Sequence, residues 1–113
     1  MQTILIVEDY VPGRRALCAC VEDLGYIALQ AGTVNEARSI IADGVVDLVV
    51  VDIDRAAHRE LVQELRAVPR HPRILLMSAA SDDMLPEPDP AMLHMPLTFN
   101  GLADAISRVL EHG

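Results

Sequence analysis

Short apolar runs alternate with amphipathic segments along the chain, and this alternation limits the fold more than any other feature of the sequence. The runs are of strand length, whereas the segments between them repeat apolar residues at helical spacing. Strands that alternate strictly with helices predict a parallel sheet with right-handed crossovers. In a chain of 113 residues, we therefore expect one α/β domain covering residues 1–113.

The strands are predicted at residues 3–7, 27–31, 47–51, 74–77 and 91–95. The third run is almost continuously apolar, which is typical of a strand covered on both faces. Five strands in this length fit a flavodoxin-like (βα)5 doubly wound parallel sheet with the strand order 2-1-3-4-5. In such sheets, sites form beyond the carboxyl ends of the strands, between strands one and three.

Residues with known capping roles mark the ends of the predicted helices. Pro12 suits a first helical turn, and Gly25 a left-handed cap at the end of that helix. Thr33 and Glu36 form a capping box, and Asn100 is expected to cap the last helix. The predicted inward faces are Leu17, Cys20, Val21 and Leu24; Val34, Ala37, Ile40 and Ile41; Leu61, Val62 and Leu65; and Leu102, Ile106, Val109 and Leu110.

Residues 81–90 (SDDMLPEPDP) interrupt this pattern where a fourth helix is expected. Pro86, Pro88 and Pro90 block helical hydrogen bonds, and the residues before them favour extended backbone. The fourth helix is therefore predicted to be shortened or absent. A tolerated surface loop and a rebuilt partner surface both remain open as interpretations of this segment.

Composition excludes several classes of function. The formal net charge is −8 and all nine basic residues are Arg, which argues against nucleic-acid binding. No apolar run is long enough to span a membrane and no basic leader precedes the first strand, so we expect a cytoplasmic protein. Cys18 and Cys20 are expected to be reduced thiols, with Cys20 in the buried face. A metal site on this pair is disfavoured, because no further ligands stand nearby.

Carboxylates follow the two strands that should be neighbours in the sheet. Glu8 and Asp9 come directly after strand one, and Asp52 and Asp54 come at the end of strand three. Clustered carboxylates repel one another unless a proton or cation is present, and oxygen ligands of this kind suit Mg²⁺. Such a metal would let an Asp act as nucleophile toward a phosphodonor. The alternative is that Glu8 and Asp9 merely begin a loop and helix, where acidic residues are common.

Four segments resemble the response-regulator receiver family of two-component signalling. They are ILIVEDY at 4–10, LVVVDID at 48–54, LLMSAA at 75–80 and, less closely, His94-Met95-Pro96. Taken together, the resemblance covers residues 3 to about 110. It implies a receiver in phosphorelay signal transduction, which is not an enzyme in its own right. The implied partners are a histidine kinase or histidine phosphotransfer protein and a downstream protein target, and a homodimer remains open.

The resemblance also implies a role for each residue of the acidic cluster. Asp52 corresponds to the phosphoacceptor, Asp9 to the residue that binds Mg²⁺ directly, and Glu8 to its partner, which often acts through a water. Asp54 stands where a backbone carbonyl reaches the metal. Ser78 stands where a hydroxyl hydrogen-bonds a phosphoryl oxygen.

The sequence departs from this family at several positions. The family lysine is replaced by Met95, and the chain contains no Lys. Arg55 could reach the acceptor instead, but a loop Arg is more often solvated. His94 is expected on the opposite face of its strand, Met92 replaces a switch aromatic, and the bond from Met95 to Pro96 is expected to be cis.

Two alternatives compete with a phosphorylatable receiver. The missing lysine, Met92 and the proline segment also suit a degenerate pseudo-receiver, a phosphorylation-independent protein-interaction module. The Asp52-Ile53-Asp54 motif resembles that of haloacid-dehalogenase-type phosphatases, but that motif belongs after a first strand. Nucleotide binding is not expected, because no Gly-rich loop joins a strand to a helix.

Overall fold

A computed structural model describes residues 1–78, 92–94 and 98–112, with only the backbone of 92–94 and 112. The strands form one parallel sheet in the order β2-β1-β3-β4-β5, which confirms the predicted topology. The strands are β1 Thr3–Val7, β2 Ile27–Ala31, β3 Leu48–Asp52, β4 Arg73–Ser78 and β5 Met92–His94. The helices are α1 Val11–Asp23, α2 Val34–Ala42, α3 Ala56–Arg66 and α4 Phe99–His112.

Alternation along β1 divides the core into two layers, one on each face of the sheet. Ile4 and Ile6 pack with residues of α1 and α4, whereas Leu5 and Val7 pack with residues of α2 and α3. Successive side chains of a strand point to opposite faces, so a central strand must be apolar at every position to serve both layers. All five residues of β1 are buried, while β2 at the sheet edge is largely exposed or half-buried.

The predicted glycine end of α1 at Gly25 and the predicted side-chain cap of α2 by Thr33 are confirmed. Gly25 and Gly44 follow α1 and α2 with φ of +96° and +77°, a region that favours glycine because it has no Cβ. The N–H of Glu36 donates to Thr33 Oγ1 at 3.1 Å at the start of α2.

Several predicted boundaries are wrong by one or two residues. The third strand runs from Leu48 to Asp52 and not over 47–51, and the fourth runs from Arg73 to Ser78 and not over 74–77. Asp47, just before the third strand, accepts the N–H of Thr3 through its Oδ2 at 2.8 Å. The last helix is capped by Thr98 and not by Asn100, since Thr98 Oγ1 accepts the N–H of Gly101 at 3.0 Å. Asn100 lies within α4.

The cysteine assignment is reversed in α1. Cys18 is buried and Cys20 is half-buried, because the inner face of the helix is centred on Leu17, Cys18 and Val21. Burial raises the pKa of the Cys18 thiol to about 11, so this thiol is protonated at neutral pH. Cys20 lies at the margin of the same layer.

Several predictions concern residues outside the described part of the chain. They are the shortened or absent fourth helix at 81–90, the side chains at Met92, His94 and Met95, and the bond from Met95 to Pro96. Within the described residues, no helix is long and apolar enough to cross a lipid bilayer.

Candidate functional site

The acidic residues meet where β1 and β3 end side by side. Val7 at the end of β1 pairs with Val51, so Glu8 and Asp52 follow at the same level of the sheet. The N–H of Glu8 donates to the carbonyl of Ala31 at 3.1 Å, which extends the sheet pairing by one residue. Glu8, Asp9, Asp52, Asp54 and Arg55 line one open depression together with Tyr10.

Glu8 is the most deeply placed of these carboxyl groups. It is 8% exposed, and its Oε1 accepts the N–H of Tyr10 at 3.0 Å. Burial raises the pKa of the Glu8 carboxyl to about 7, and contact with the carboxyl groups of Asp52 and Asp9 adds to the rise. The hydrogen bond from Tyr10 opposes this shift without cancelling it. Glu8 therefore holds a proton over part of the neutral range.

Asp52 is held at both its side chain and its backbone. Its Oδ1 accepts the N–H of Asp54 at 3.0 Å, and its carbonyl lies 2.6 Å from Nδ1 of His58. Because a carbonyl only accepts, His58 must carry its proton on Nδ1. The second carboxylate oxygen of Asp52 takes no part in either bond.

His58 is a site residue that the sequence reasoning missed. Its side chain is 3% exposed in the first turn of α3. A signal was present, because His58 precedes Leu61, Val62 and Leu65 at helical spacing and so continues the buried stripe of the helix. A histidine in that stripe needs a polar partner, and the Asp52 carbonyl supplies it.

Arg55 pairs with Asp9 and keeps most of its side chain exposed, in line with the expectation that a loop Arg is largely solvated. Arg55 Nε lies 2.5 Å from Asp9 Oδ2, with the two side chains 65% and 31% exposed. The guanidinium thus contacts the cluster through Asp9. Arg14 approaches the same loop differently, since its Nη1 donates to the backbone carbonyl of Glu8 at 3.1 Å.

Ser78 lies within the site, at the end of β4. Asp52 pairs with Met77 across the sheet, so the next residue of β4 reaches the loop that follows Asp52. The Ser78 side chain is fully buried, and its hydroxyl donates to Asp54 Oδ1 at 2.6 Å. The side chain of Asp54 thus takes part in the site, in addition to the backbone role that the resemblance implies.

The donor set suits a hard cation in chemistry, because all its ligand atoms are oxygens. In the part of the chain that the structure describes, however, no three His, Cys, Asp or Glu side chains converge closely enough to hold an ion. Asp9 is turned toward Arg55, and Asp54 toward Ser78. The magnesium site therefore stays a prediction, and it requires Asp9 to exchange its partner.

A largely apolar groove between α1 and α4 opens onto this depression. Its volume is about 440 Å³, and Glu8 and Asp52 form its polar end. Tyr10 and Phe99 stand at its rim with 66% and 47% of their surface exposed. The sequence reasoning did not predict this groove, because it forms only when α1 and α4 pack on the same face of the sheet.

Several solved structures that share this fold are receiver domains. The signal receiver domain of a DNA-binding response regulator from Colwellia psychrerythraea 34H matches with a TM-score of 0.83 and 20% identity, over 99% of this chain and 100% of that one. A CheY-like receiver domain from Methylobacillus flagellatus matches with a TM-score of 0.80 and 23% identity, over 96% and 98%. This chain has the receiver fold.

A third match comes from a complex. A chain in the crystal structure of the histidine kinase ThkA with the response regulator protein TrrA has a TM-score of 0.81 and 24% identity, over 97% of this chain and 99% of that one. No protein-family model matches the sequence, and no curated protein does. The likeness to receiver domains is therefore one of fold, at identities too low to transfer a function.

Proposed function

We propose that this chain is a receiver that accepts a phosphoryl group on Asp52 in phosphorelay signalling. The observation that supports this most directly is the setting of Asp52 at the end of β3. One carboxylate oxygen and the backbone carbonyl are held, while Glu8 lies beside the side chain. A nucleophile held in this way does not have to be ordered when the donor arrives.

The reaction is a displacement at phosphorus. A carboxylate oxygen of Asp52 forms a bond to the phosphorus of the donor, and the bond to the donor's imidazole nitrogen or acyl oxygen breaks. The electron pair of the broken bond goes to that leaving group. A bound Mg²⁺ would neutralise charge on the phosphoryl oxygens, held by Asp9, Asp52 and the Asp54 carbonyl, with Glu8 acting through a water.

Ser78 is the residue that would report the new charge. Its buried hydroxyl donates to Asp54 Oδ1, so binding a phosphoryl oxygen requires it to change acceptor. A contact that exists only in the phosphorylated state shifts the population between two conformations. In this proposal, that shift alters the face around β4 and α4 that a downstream protein recognises.

The donor is proposed to be a histidine kinase or histidine phosphotransfer protein. The phosphohistidine of the donor must reach Asp52, so the donor has to contact the protein surface around the acidic depression. The groove between α1 and α4 offers apolar area there, with Tyr10 and Phe99 exposed at its rim. Exposed aromatic side chains beside a functional site favour a protein contact.

The test is phosphorylation by a small donor. Wild-type protein, Asp52→Asn and Asp23→Asn are incubated with acetyl phosphate and Mg²⁺, and their intact masses are measured. We expect wild type and Asp23→Asn to gain the mass of one phosphoryl group, and Asp52→Asn to stay unchanged. Asp23→Asn is the matched control, since it makes the same change of charge at an exposed position at the end of α1, outside the acidic site.

Two results would contradict the proposal. One is an unmodified wild type in a reaction that modifies a control receiver. The other is an Asp52→Asn protein that gains as much mass as wild type.

The pseudo-receiver remains a second candidate, and one contact favours it. With Asp9 paired to Arg55, the cluster already has a counter-ion without metal. A module of this kind would bind its protein partner independently of phosphorylation. Partner binding that is equal for wild type and Asp52→Asn, with no gain of mass from acetyl phosphate, would favour this reading over the first.

A further inference from the structure

One described side chain brings its positive charge directly onto a carboxylate of the acidic site. The chain has no Lys, and its basic residues are nine Arg. Among the described residues, Arg55 is the Arg whose guanidinium binds a carboxylate of the cluster, through Asp9. Arg14 lies nearby, but it donates to a backbone carbonyl and to Gln30.

Arg55 is placed so that its side chain can leave Asp9 without a change of backbone. It precedes α3 in extended conformation, with φ −106° and ψ 137°. Its side chain is 65% exposed and pairs with Asp9 in the open depression that both residues line. The loop itself is anchored independently, because Arg59 Nη1 donates to the carbonyl of Ile53 at 2.7 Å and His58 holds Asp52. Releasing the guanidinium therefore costs only its own contact.

The guanidinium and a divalent cation need the same oxygen atoms. Asp9 presents its carboxylate to Arg55 at 2.5 Å, and a metal bound by that carboxylate would bring a second positive charge to the same place. Like charges at such short range repel, so the two cations cannot both be held closely. We propose that Arg55 is an internal competitor of the divalent cation for Asp9, and that it sets the affinity of the acidic site for metal. This rests on the proposed function only in that the site is used by Mg²⁺.

Competition of this kind has a measurable size. The guanidinium pairs with Asp9 at a partly exposed position, where ion pairs are weak, so its removal should tighten metal binding by roughly two- to fivefold. Without the guanidinium, the metal would bind Asp9 without first displacing it. The fold should stay intact, because Arg55 makes no core contact. Both effects follow from a single side chain.

The experiment compares Arg55→Gln with Arg38→Gln. Arg38 on α2 pairs with Glu64 on α3 at 2.7 Å, with both side chains about half exposed, and it contacts no residue of the acidic site. The two variants thus lose the same charge and an exposed ion pair each. Mg²⁺ is titrated into each protein and followed by the backbone amide signals of Glu8, Asp9 and Asp52 in NMR spectra, which also verify the fold.

We expect the Kd for Mg²⁺ to fall by roughly two- to fivefold in Arg55→Gln and to stay at the wild-type value in Arg38→Gln. In wild type, the Nε–H signal of Arg55 should shift as Mg²⁺ saturates the site. Equal affinities in the two variants, weaker binding in Arg55→Gln, or no Mg²⁺ binding by any of the proteins would overturn the inference.

Its failure can be told apart from failure of the proposed function. Suppose that Arg55→Gln binds Mg²⁺ more tightly than wild type, but acetyl phosphate phosphorylates neither protein. The inference about Arg55 then holds, and the proposed function is contradicted. If wild type is phosphorylated and the two variants bind Mg²⁺ equally, only the inference about Arg55 is contradicted.

Discussion

His58 links the proposed acceptor to the helix that follows it. Its Nδ1–H donates to the Asp52 carbonyl at 2.6 Å, and its ring is 3% exposed. Because Asp52 ends β3, its carbonyl lies at the point where the chain leaves the sheet. The bond from His58 therefore fixes Asp52 and also the path of the loop that follows it.

Replacing this histidine should destabilise the protein. His58→Ala leaves a cavity and an unpaired buried carbonyl, so we expect the free energy of unfolding to fall by about 2 to 4 kcal/mol. The control is His71→Ala, because His71 Nδ1 lies 2.6 Å from the Pro72 carbonyl in an exposed setting. That control should change stability by less than about 0.5 kcal/mol. Urea unfolding measures both, and equal losses would contradict a special role for His58.

The carboxylates could be predicted from the sequence, but their partners could not. Glu8, Asp9 and Asp52 adjoin strand ends, and topology alone brings such residues to one edge of a parallel sheet. The pairing of Asp9 with Arg55 depends on a rotamer of a long exposed side chain, about which the spacing of residues says nothing. The hydrogen bond from Ser78 to Asp54 likewise depends on the detailed path of two loops.

The helices and strands could be predicted well from the sequence, because their apolar residues repeat at clear helical or strand spacing. The apolar runs 4–7 in β1 and 48–51 in β3, and the apolar residues at helical spacing in α3 and α4, leave few alternatives to a covered parallel sheet. Ends are harder to predict, since several residues near a terminus can act as caps. Thr98 and Asn100 are both good capping residues, and only the bond to the Gly101 N–H shows which of them is used.

This distinction can be tested at the start of α4. Thr98→Ala removes the acceptor for the Gly101 N–H, so we expect a loss of about 1 kcal/mol in the free energy of unfolding. Asn100→Ala places a better helix former inside the helix and should be neutral or slightly stabilising. Thermal or urea unfolding of both variants decides the matter, and a larger loss in Asn100→Ala would show that the cap is misassigned.

The stability of the whole molecule should depend on pH through Glu8. Its pKa is raised from 4.5 to about 7 in the folded state by burial and by the neighbouring carboxyl groups. The folded chain thus binds this proton more tightly than the unfolded chain does. The resulting stabilisation is complete below pH 4.5, falls as the pH rises, and is lost above about pH 7.

Replacing Glu8 by Gln should remove that part of the pH dependence. A shift of this size corresponds to about 3 kcal/mol, so the Glu8→Gln protein should be more stable than wild type at pH 8 in the absence of metal. Glu60→Gln, an exposed glutamate on α3, serves as the control and should follow the wild-type profile. Urea unfolding between pH 5 and pH 8 makes the comparison. A wild-type slope that persists in Glu8→Gln would assign the pH dependence to other groups.

The hydrogen bond between Ser78 and Asp54 joins two residues that differ in their access to water. Asp54 is exposed, so water can solvate its carboxylate once the hydroxyl turns away, whereas Ser78 is fully enclosed and must always find a protein or ligand acceptor. The Ser78 hydroxyl can therefore leave Asp54 only when another acceptor is within reach. A phosphoryl oxygen would be such an acceptor, because hydrogen bonds to charged oxygens are strong. In the proposed function, an acceptor that binds weakly would therefore leave the bond from Ser78 to Asp54 in place.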